Sequence, residues 1–346
     1  MSIPESFLPY PLKFIDILKE RVWGGRRLAS VLGKTLPEDR RIGESWEVAD
    51  RGEDTTVVAN GPYAGVPLSD LRERWGEQLI GPHGLEAGQG LFPLLIKFID
   101  ASETLSVQVH PTNEYAALHH AGELGKTEAW YVIHADPGAR IVFGLKPGVD
   151  RDTLKAAIDQ GTVETLLQWL PASAGDCFFT PAGTAHALGA GLVVYEVQQN
   201  SDVTYRFYDW NRLGLDGKPR ELHVEHSLNV LSFTVPRDTP CTPVTVRELR
   251  GDVRRLIHCP FFVLDLVTPI YSFQSTTAST GFHVVSVISG QGDIRALDPS
   301  PAAASAGVDN VPLRAGESVL IPASLGPYEI RPAGSIKVLR TFVPPK

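Results

Sequence analysis

The sequence predicts a mainly β protein, two small barrels carrying a few inserted helices. Three observations point there. Runs of about four to eight apolar, β-branched or aromatic residues bounded by turn formers read as strands, and they recur here as L-L-I-K-F-I-D-A, A-R-I-V-F-G and L-V-V-Y-E-V-Q-Q. From residue 246 to Lys346 the pattern is strand and turn throughout. The chain also echoes itself. A-G-D-C-F-F-T-P-A from Ala174 resembles A-G-E-S-V-L-I-P-A from Ala315, each reading as turn, strand and proline turn, as a barrel hairpin would.

Taken in order, residues 1–60 mix short strands with one small helix, which opens after Gly24-Gly25 and stops at Gly33. G-E-S-W-E-V-A alternates as a strand. Residues 69–80 are expected to form a helix with Ser69 as N-cap. F-P-L-L-I-K-F-I-D-A and E-T-L-S-V-Q-V-H are buried strands. T-N-E-Y-A-A-L-H-H-A-G is a helix capped by Thr112 and ending near Gly122. Strands T-E-A-W-Y-V-I and A-R-I-V-F-G precede a helical excursion over D-R-D-T-L-K-A-A-I-D-Q-G and T-V-E-T-L-L-Q-W-L. Strands resume with D-C-F-F-T-P, L-V-V-Y-E-V-Q-Q-N and V-T-Y-R-F-Y-D, followed by a helix over R-E-L-H-V-E-H-S-L-N-V-L. Residues 234–245, with four threonines and three prolines, read as a linker between domains 1–233 and 246–346. Ala302 to Gly307 reads as a small-residue loop.

Composition narrows the function. The 346 residues exceed what one hydrophobic core usually serves, so more than one domain is expected. A net charge of −8 argues against a nucleic-acid partner. An anionic substrate would need a local cluster of cations. No apolar run reaches the ~18 residues of a membrane span, and the N-terminus lacks the basic and apolar regions of a signal peptide. Cys177, Cys241 and Cys259 are odd in number and widely spaced, with no C-x-x-C. Neither a disulfide framework nor a thiolate metal site is suggested, and a cytoplasmic location is expected.

The chemistry concentrates in two blocks, Lys97–Glu128 and Ala174–Arg212. Ser106, Gln108 and His110 are two apart, so on a strand they share one face while Val107 and Val109 share the other. Glu128 opens the next strand, and the second block supplies His186. Gln108, His110, Glu128 and His186 together offer two imidazoles, a carboxylate and an amide oxygen, a donor set suited to one divalent metal. Each alone has a plainer explanation. A single His on an apolar strand is usually a hydrogen-bonded core residue, and a Glu at a strand start is usually solvated. The Gln-x-His pair adds weight because it puts two donors on one face. In the second copy of the echo, Pro327 stands where the first has His186, so the C-terminal barrel is expected to lack the ligand.

S-V-Q-V-H-P, G-K-T-E-A-W-Y, P-A-G-T-A-H-A-L-G-A-G and E-V-Q-Q-N-S-D-V-T-Y-R-F-Y-D resemble the type I phosphomannose isomerases, a cupin family, in matching order from about Trp23 to Leu231. The resemblance implies two cupin-type jelly-roll barrels and one Zn2+ per chain, held by Gln108, His110, Glu128 and His186. It also implies a hexose phosphate substrate, interconverted between mannose 6-phosphate and fructose 6-phosphate through a cis-enediol.

Lys97, Ser106, Lys126, Arg206 and Arg212 fall in or beside the same blocks. Most Lys and Arg are solvated, but Lys97 interrupts the run L-L-I-K-F-I, where a charge is costly unless it is paired or faces a cavity. The resemblance implies that Ser106 and Lys97 line the substrate pocket, and Arg212 is placed with them. No G-x-x-x-x-G-K-[ST] loop occurs, so phosphate is not held as in an NTPase. Arg206, treated as an active-site residue in the family, is assigned to polarising substrate oxygens. Lys126 and Glu196 share the proton-shuttle candidacy. For Glu196 the competing explanation is a structural ion pair with Arg206.

Other candidates are weaker. His119-His120 read as surface or capping residues, and His223 and His226, three apart on one helical face, are a weaker candidate for a second metal than for simple solvation. Trp130, Tyr131, Trp169 and Trp210 read as packing. Trp23, Trp46 and Glu47 match the family near its pocket. Two alternative functions stay open. One is a metal-containing cupin that binds or senses sugar phosphates without catalysis. The other is an iron oxygenase, which the Gln108–Glu128 donor pair suits less well.

Overall fold

The computed structural model describes residues 6–234, 239–248 and 251–345. Two antiparallel sheets form the first barrel. One has six strands in the order Cys177–Thr180, Glu128–Ala135, Leu192–Gln199, Leu94–Ala101, Ile42–Val48, Ile17–Gly25. The other has five, in the order Leu167–Pro171, Arg140–Leu145, His186–Leu188, Val107–Val109, Tyr205–Tyr208. Ile99, Trp130 and Val194 from the first sheet and Ile141, Phe143 and Leu188 from the second share one apolar cluster, so the sheets pack face to face. Val107 and Val109 pack on the outer side, in a different cluster. That is the alternation expected of the S-V-Q-V-H segment.

A ten-stranded sheet builds the second barrel around Val285, Val287, Val319, Ile321, Ile330 and Val338. The N-terminal strand Leu12–Ile15 joins this sheet, pairing Leu12 with Leu320, before the chain enters the first barrel. Between the barrels lies a continuous apolar layer in which Ile96, Phe98 and Tyr195 meet Leu264, Leu320 and Leu339. A 2.8 Å bond between the Tyr195 and Thr341 hydroxyls sits in that layer.

Several local expectations are corrected. The helix expected over 69–80 spans Leu68–Gly88, with Pro67 rather than Ser69 at its N-cap. It is interrupted at Gly81, where φ is +75°, just ahead of Pro82. T-V-E-T-L-L-Q-W-L is not helical. It forms a short 3-10 turn, Val163–Leu166, and then the strand Leu167–Pro171, because Leu170 finds a ladder partner in Ile141. The small-residue loop near Ala302 contains a helix, Pro301–Ser305, nucleated by Ser300, whose hydroxyl accepts from the Ala303 amide at 3.2 Å. Of the linker expected over 234–245, residues 235–238 lie outside the described residues, and Val244 already opens a strand. Among the described residues no helix is long and apolar enough to cross a membrane.

Candidate metal centre and active-site cavity

Strand register brings the donors together. In the five-stranded sheet Gln108 stands directly opposite His186 on one side and Arg206 on the other. Opposed residues of an antiparallel ladder present their side chains to the same face, so one row crosses the barrel interior. Glu128 reaches in from the six-stranded sheet, where it pairs with Thr180 and Gln198. His110 lies one residue past its strand.

His110, Glu128 and His186 each offer a ligand atom within 4.8 Å of the others. All three are at most 1% exposed. His186 Nε2 is 3.2 Å from Glu128 Oε1, and His110 Nε2 is 3.4 Å from Glu128 Oε2. Both rings are oriented from behind, His110 Nδ1 lying 3.0 Å from the Val203 carbonyl and His186 Nδ1 2.8 Å from the Thr184 carbonyl. A carbonyl only accepts, so Nδ1 carries the proton in each ring. Nε2 then presents a lone pair toward Glu128, the arrangement found behind metal-bound histidines.

Electrostatics point the same way. Burial, reinforced by Lys126, lowers His110 to about 3, so its imidazole is neutral at any ordinary pH. Burial opposes ionisation of Glu128, but the Lys126 ammonium above all outweighs it, and the carboxyl lies well below its usual range. His110 Nε2 and both Glu128 oxygens are buried without a hydrogen-bond partner. Orphaned polar atoms of this kind are costly unless something satisfies them. Two imidazole lone pairs and an ionised carboxylate aimed at one point fit a divalent cation. Gln108 Nε2 lies 3.3 Å from His186 Nε2. Rotating the Gln108 amide by half a turn brings its oxygen toward the same point.

A cavity of about 570 Å³ opens beside this cluster, lined by Lys97, Ser106, Gln108, Lys126, Glu196 and Arg206 among others. Lys126 Nζ is 3.2 Å from Glu128 Oε2. Lys97 donates to Gln198 Oε1 at 2.8 Å and pairs with Glu196 Oε1 at 3.1 Å. Burial lowers the Lys97 pKa, but Glu196 and Glu44 outweigh it and keep the amine charged. Arg206 is not the partner of Glu196. It donates to the Glu221 carbonyl at 3.0 Å, its Nε has no partner, and no carboxylate among the described residues lies within ion-pair distance of it. Arg212 is not among the cavity-lining residues. It is drawn back to Asp209 (3.0 Å) and the Thr104 carbonyl (2.5 Å), because Asp209 is a buried carboxylate needing cations.

Sequence reasoning missed several lining residues, among them Arg21, Glu44, Trp130 and Arg220. Glu44 is buried, bonded by Arg21 at 2.9 Å and by the Trp46 indole at 2.6 Å. Burial raises its pKa, but Lys97 and Arg21 overcome this and hold it at about 2. The alternation of G-E-S-W-E-V carried the signal that Glu44 and Trp46 share a face, but nothing in the sequence said which face is inside. Trp130, read as packing, also donates its indole N–H to Glu196 Oε2 at 2.8 Å. Glu47 points away from the cavity and pairs with Lys34 at 2.8 Å. His120 and His226 are bonded to Tyr205 and Tyr115 hydroxyls, and His223 caps a helix.

Comparison with known proteins finds one family. A family model for the catalytic domain of type I phosphomannose isomerases matches residues 12–132. The chain is 36% identical over 324 residues to a mannose-6-phosphate isomerase of Streptococcus mutans, covering 92% of this chain and 94% of that one. It is 37% identical over 321 residues to one from Bacillus subtilis, covering 92% and 95%. The crystal structure of a Bacillus subtilis mannose 6-phosphate isomerase superposes with a TM-score of 0.84 at 31% identity, covering 96% of this chain and 100% of that one.

Proposed function

The chain belongs to the type I phosphomannose isomerase family, and from that premise we propose that it is a cytoplasmic, zinc-dependent enzyme interconverting mannose 6-phosphate and fructose 6-phosphate. One observation carries the reading: the buried His110–Glu128–His186 cluster, with its orphaned donor atoms, adjoins a cavity whose lining includes Lys97, Lys126, Arg206 and Arg220 beside the carboxylates Glu44 and Glu196. Gln108 completes the donor set. The chemistry falls to the first barrel, residues 1–233, while the second, residues 246–346, carries no such cluster among its described residues.

A zinc ion on these donors supplies a Lewis acid that polarises the oxygens of the reacting carbons. The rest is done by side chains. Isomerisation removes a proton from the carbon beside a carbonyl and returns it to the neighbouring carbon, through a cis-enediol. Glu196 Oε1 lines the cavity 3.1 Å from the Lys97 amine, in place to take that proton. Lys126, 3.2 Å from Glu128, is the donor on the metal side. Arg206, free of any carboxylate partner among the described residues, stabilises developing negative charge on the substrate oxygens. Lys97 and Ser106 hold the hexose phosphate.

A coupled assay with mannose 6-phosphate tests this. The wild type should form fructose 6-phosphate, and Arg206→Ala should lose about 10²-fold or more in kcat, on the scale of one lost oxyanion donor. Tight hexose-phosphate binding by the zinc-loaded protein without isomerisation would leave it a binding protein instead.

A further inference from the structure

Two of the three cysteines, 64 residues apart in sequence, meet at the junction between the barrels. Cys177 opens the strand that pairs with the Glu128 strand, Cys177 lying opposite Tyr131 and Thr180 opposite Glu128. Cys241 lies on the segment leading to the first strand of the second barrel, Val244–Glu248. The Cys241 amide donates to the Cys177 carbonyl at 2.8 Å. One such bond keeps the two Cα atoms within the ~4.4–6.8 Å that a disulfide spans.

Their environments differ. Cys177 is 1% exposed, whereas Cys241 is half-buried and lines a cavity of about 640 Å³ with Phe179, Pro181, Leu256 and His258. That cavity admits a small reagent to one sulfur only. Cys259, the third, is buried and donates its thiol to the Phe262 carbonyl at 3.3 Å.

We propose that Cys177 and Cys241 are a thiol–disulfide site, oxidised reversibly by low-molecular-weight disulfides, that ties the first barrel covalently to the segment entering the second. The Cys241 thiolate attacks one sulfur of the small disulfide. The S–S bond breaks, one small thiolate leaves, and a mixed disulfide remains on Cys241. The Cys177 sulfur then attacks Cys241, expelling the second small thiolate, which takes up the Cys177 proton and leaves as a thiol. Two protein thiols are oxidised to one disulfide and the reagent is reduced to two thiols. The side-chain hydrogen bond between the two thiols raises the Cys177 pKa well above the ordinary range. Cys177 therefore keeps its proton in the reduced state, which makes Cys241 the attacking sulfur.

The test treats the full-length reduced protein with oxidised glutathione, then measures intact mass and free thiols after denaturation. Free thiols should fall from the three in the sequence to one, the mass should drop by two hydrogens, and peptide mapping should find Cys177 joined to Cys241. Dithiothreitol should reverse the change. Cys241→Ser should block it, Cys177→Ala should stop at a glutathione adduct on Cys241, and Cys259→Ser should leave it unaltered. Unreacted thiols in the wild type, a glutathione adduct that persists there, or any bridge through Cys259 or between chains overturns the proposal. The variants are checked for folding by circular dichroism, and the wild-type result decides the matter without them.

Discussion

In the first barrel the hairpin that begins at Ala174 leads, past Pro181, to His186. In the second, the hairpin that begins at Ala315 leads, past Pro322, to Pro327 and Tyr328. Both barrels carry charged and polar side chains in their interiors, and the ways these are satisfied differ. Around Glu128 the two imidazole nitrogens and both carboxylate oxygens converge, with a lysine as the nearest protein cation. In the second barrel Arg340, 1% exposed, fills the corresponding role of counter-charge. Its guanidinium donates to Asp265 at 2.6 Å, to Ser275 at 2.6 Å and to both oxygens of Glu248. His283 is closed off as well, bonded to Thr280 at 2.7 Å and Tyr328 at 2.7 Å. A carboxylate already held by a guanidinium has no call on a metal ion. One interior is thus an ion-pair network built on a guanidinium, and in the other the donor atoms of three side chains converge on one point.

The strongest way to break this contrast is His186→Ala. Removing one imidazole should empty the metal site and cut isomerase activity by about 10³-fold, the scale of losing several kcal/mol of transition-state stabilisation. Metal analysis beside the coupled assay checks it. Arg340→Ala asks the same question of the other barrel. It leaves Asp265 buried with only Arg255, 2.9 Å away, as a cation, and should cost about 3–5 kcal/mol in urea unfolding. Bound metal should stay at the wild-type level. A fall in metal content would mean that the two interiors are not independent.

A smaller effect separates the protein-closed pair inside the first barrel from the metal cluster. Glu44 is held at about 2 in the folded chain against 4.5 in the unfolded one. A carboxylate depressed in this way contributes fully above the unfolded value, and the contribution is lost as pH falls through the folded value. Wild type should exceed Glu44→Gln by about 3 kcal/mol above pH ~4.5, with the gap closing toward pH ~2. Unfolding midpoints against pH measure it, and a gap independent of pH would contradict the pairing.

Much of this architecture was legible because strands have a period of two. Ser106, Gln108 and His110 declared a shared face, and Lys97 inside an apolar run declared a cavity or a partner; the structure gives it both. Cross-strand register was not legible. That Arg206 sits opposite Gln108 rather than beside Glu196 depends on which strands become neighbours. Arg212 looked equivalent to Arg206 in sequence, yet Asp209 three residues earlier captures it. Leu167–Pro171 had helical composition, and only the exposed ladder of Arg140–Leu145 turned it into a strand. The meeting of Cys177 and Cys241 was hidden for the same reason, since it joins a barrel strand to the chain between barrels.

The central claim is that Gln108, His110, Glu128 and His186 hold the one metal on which turnover depends. Titrating zinc into chelator-stripped protein while following isomerase activity and bound metal together tests it most directly. Activity should vanish on stripping and return linearly, levelling at one zinc per chain, with no recovery in a His110→Ala, His186→Ala double variant. Activity that survives stripping, or a double variant that still binds zinc and recovers like the wild type, would contradict it.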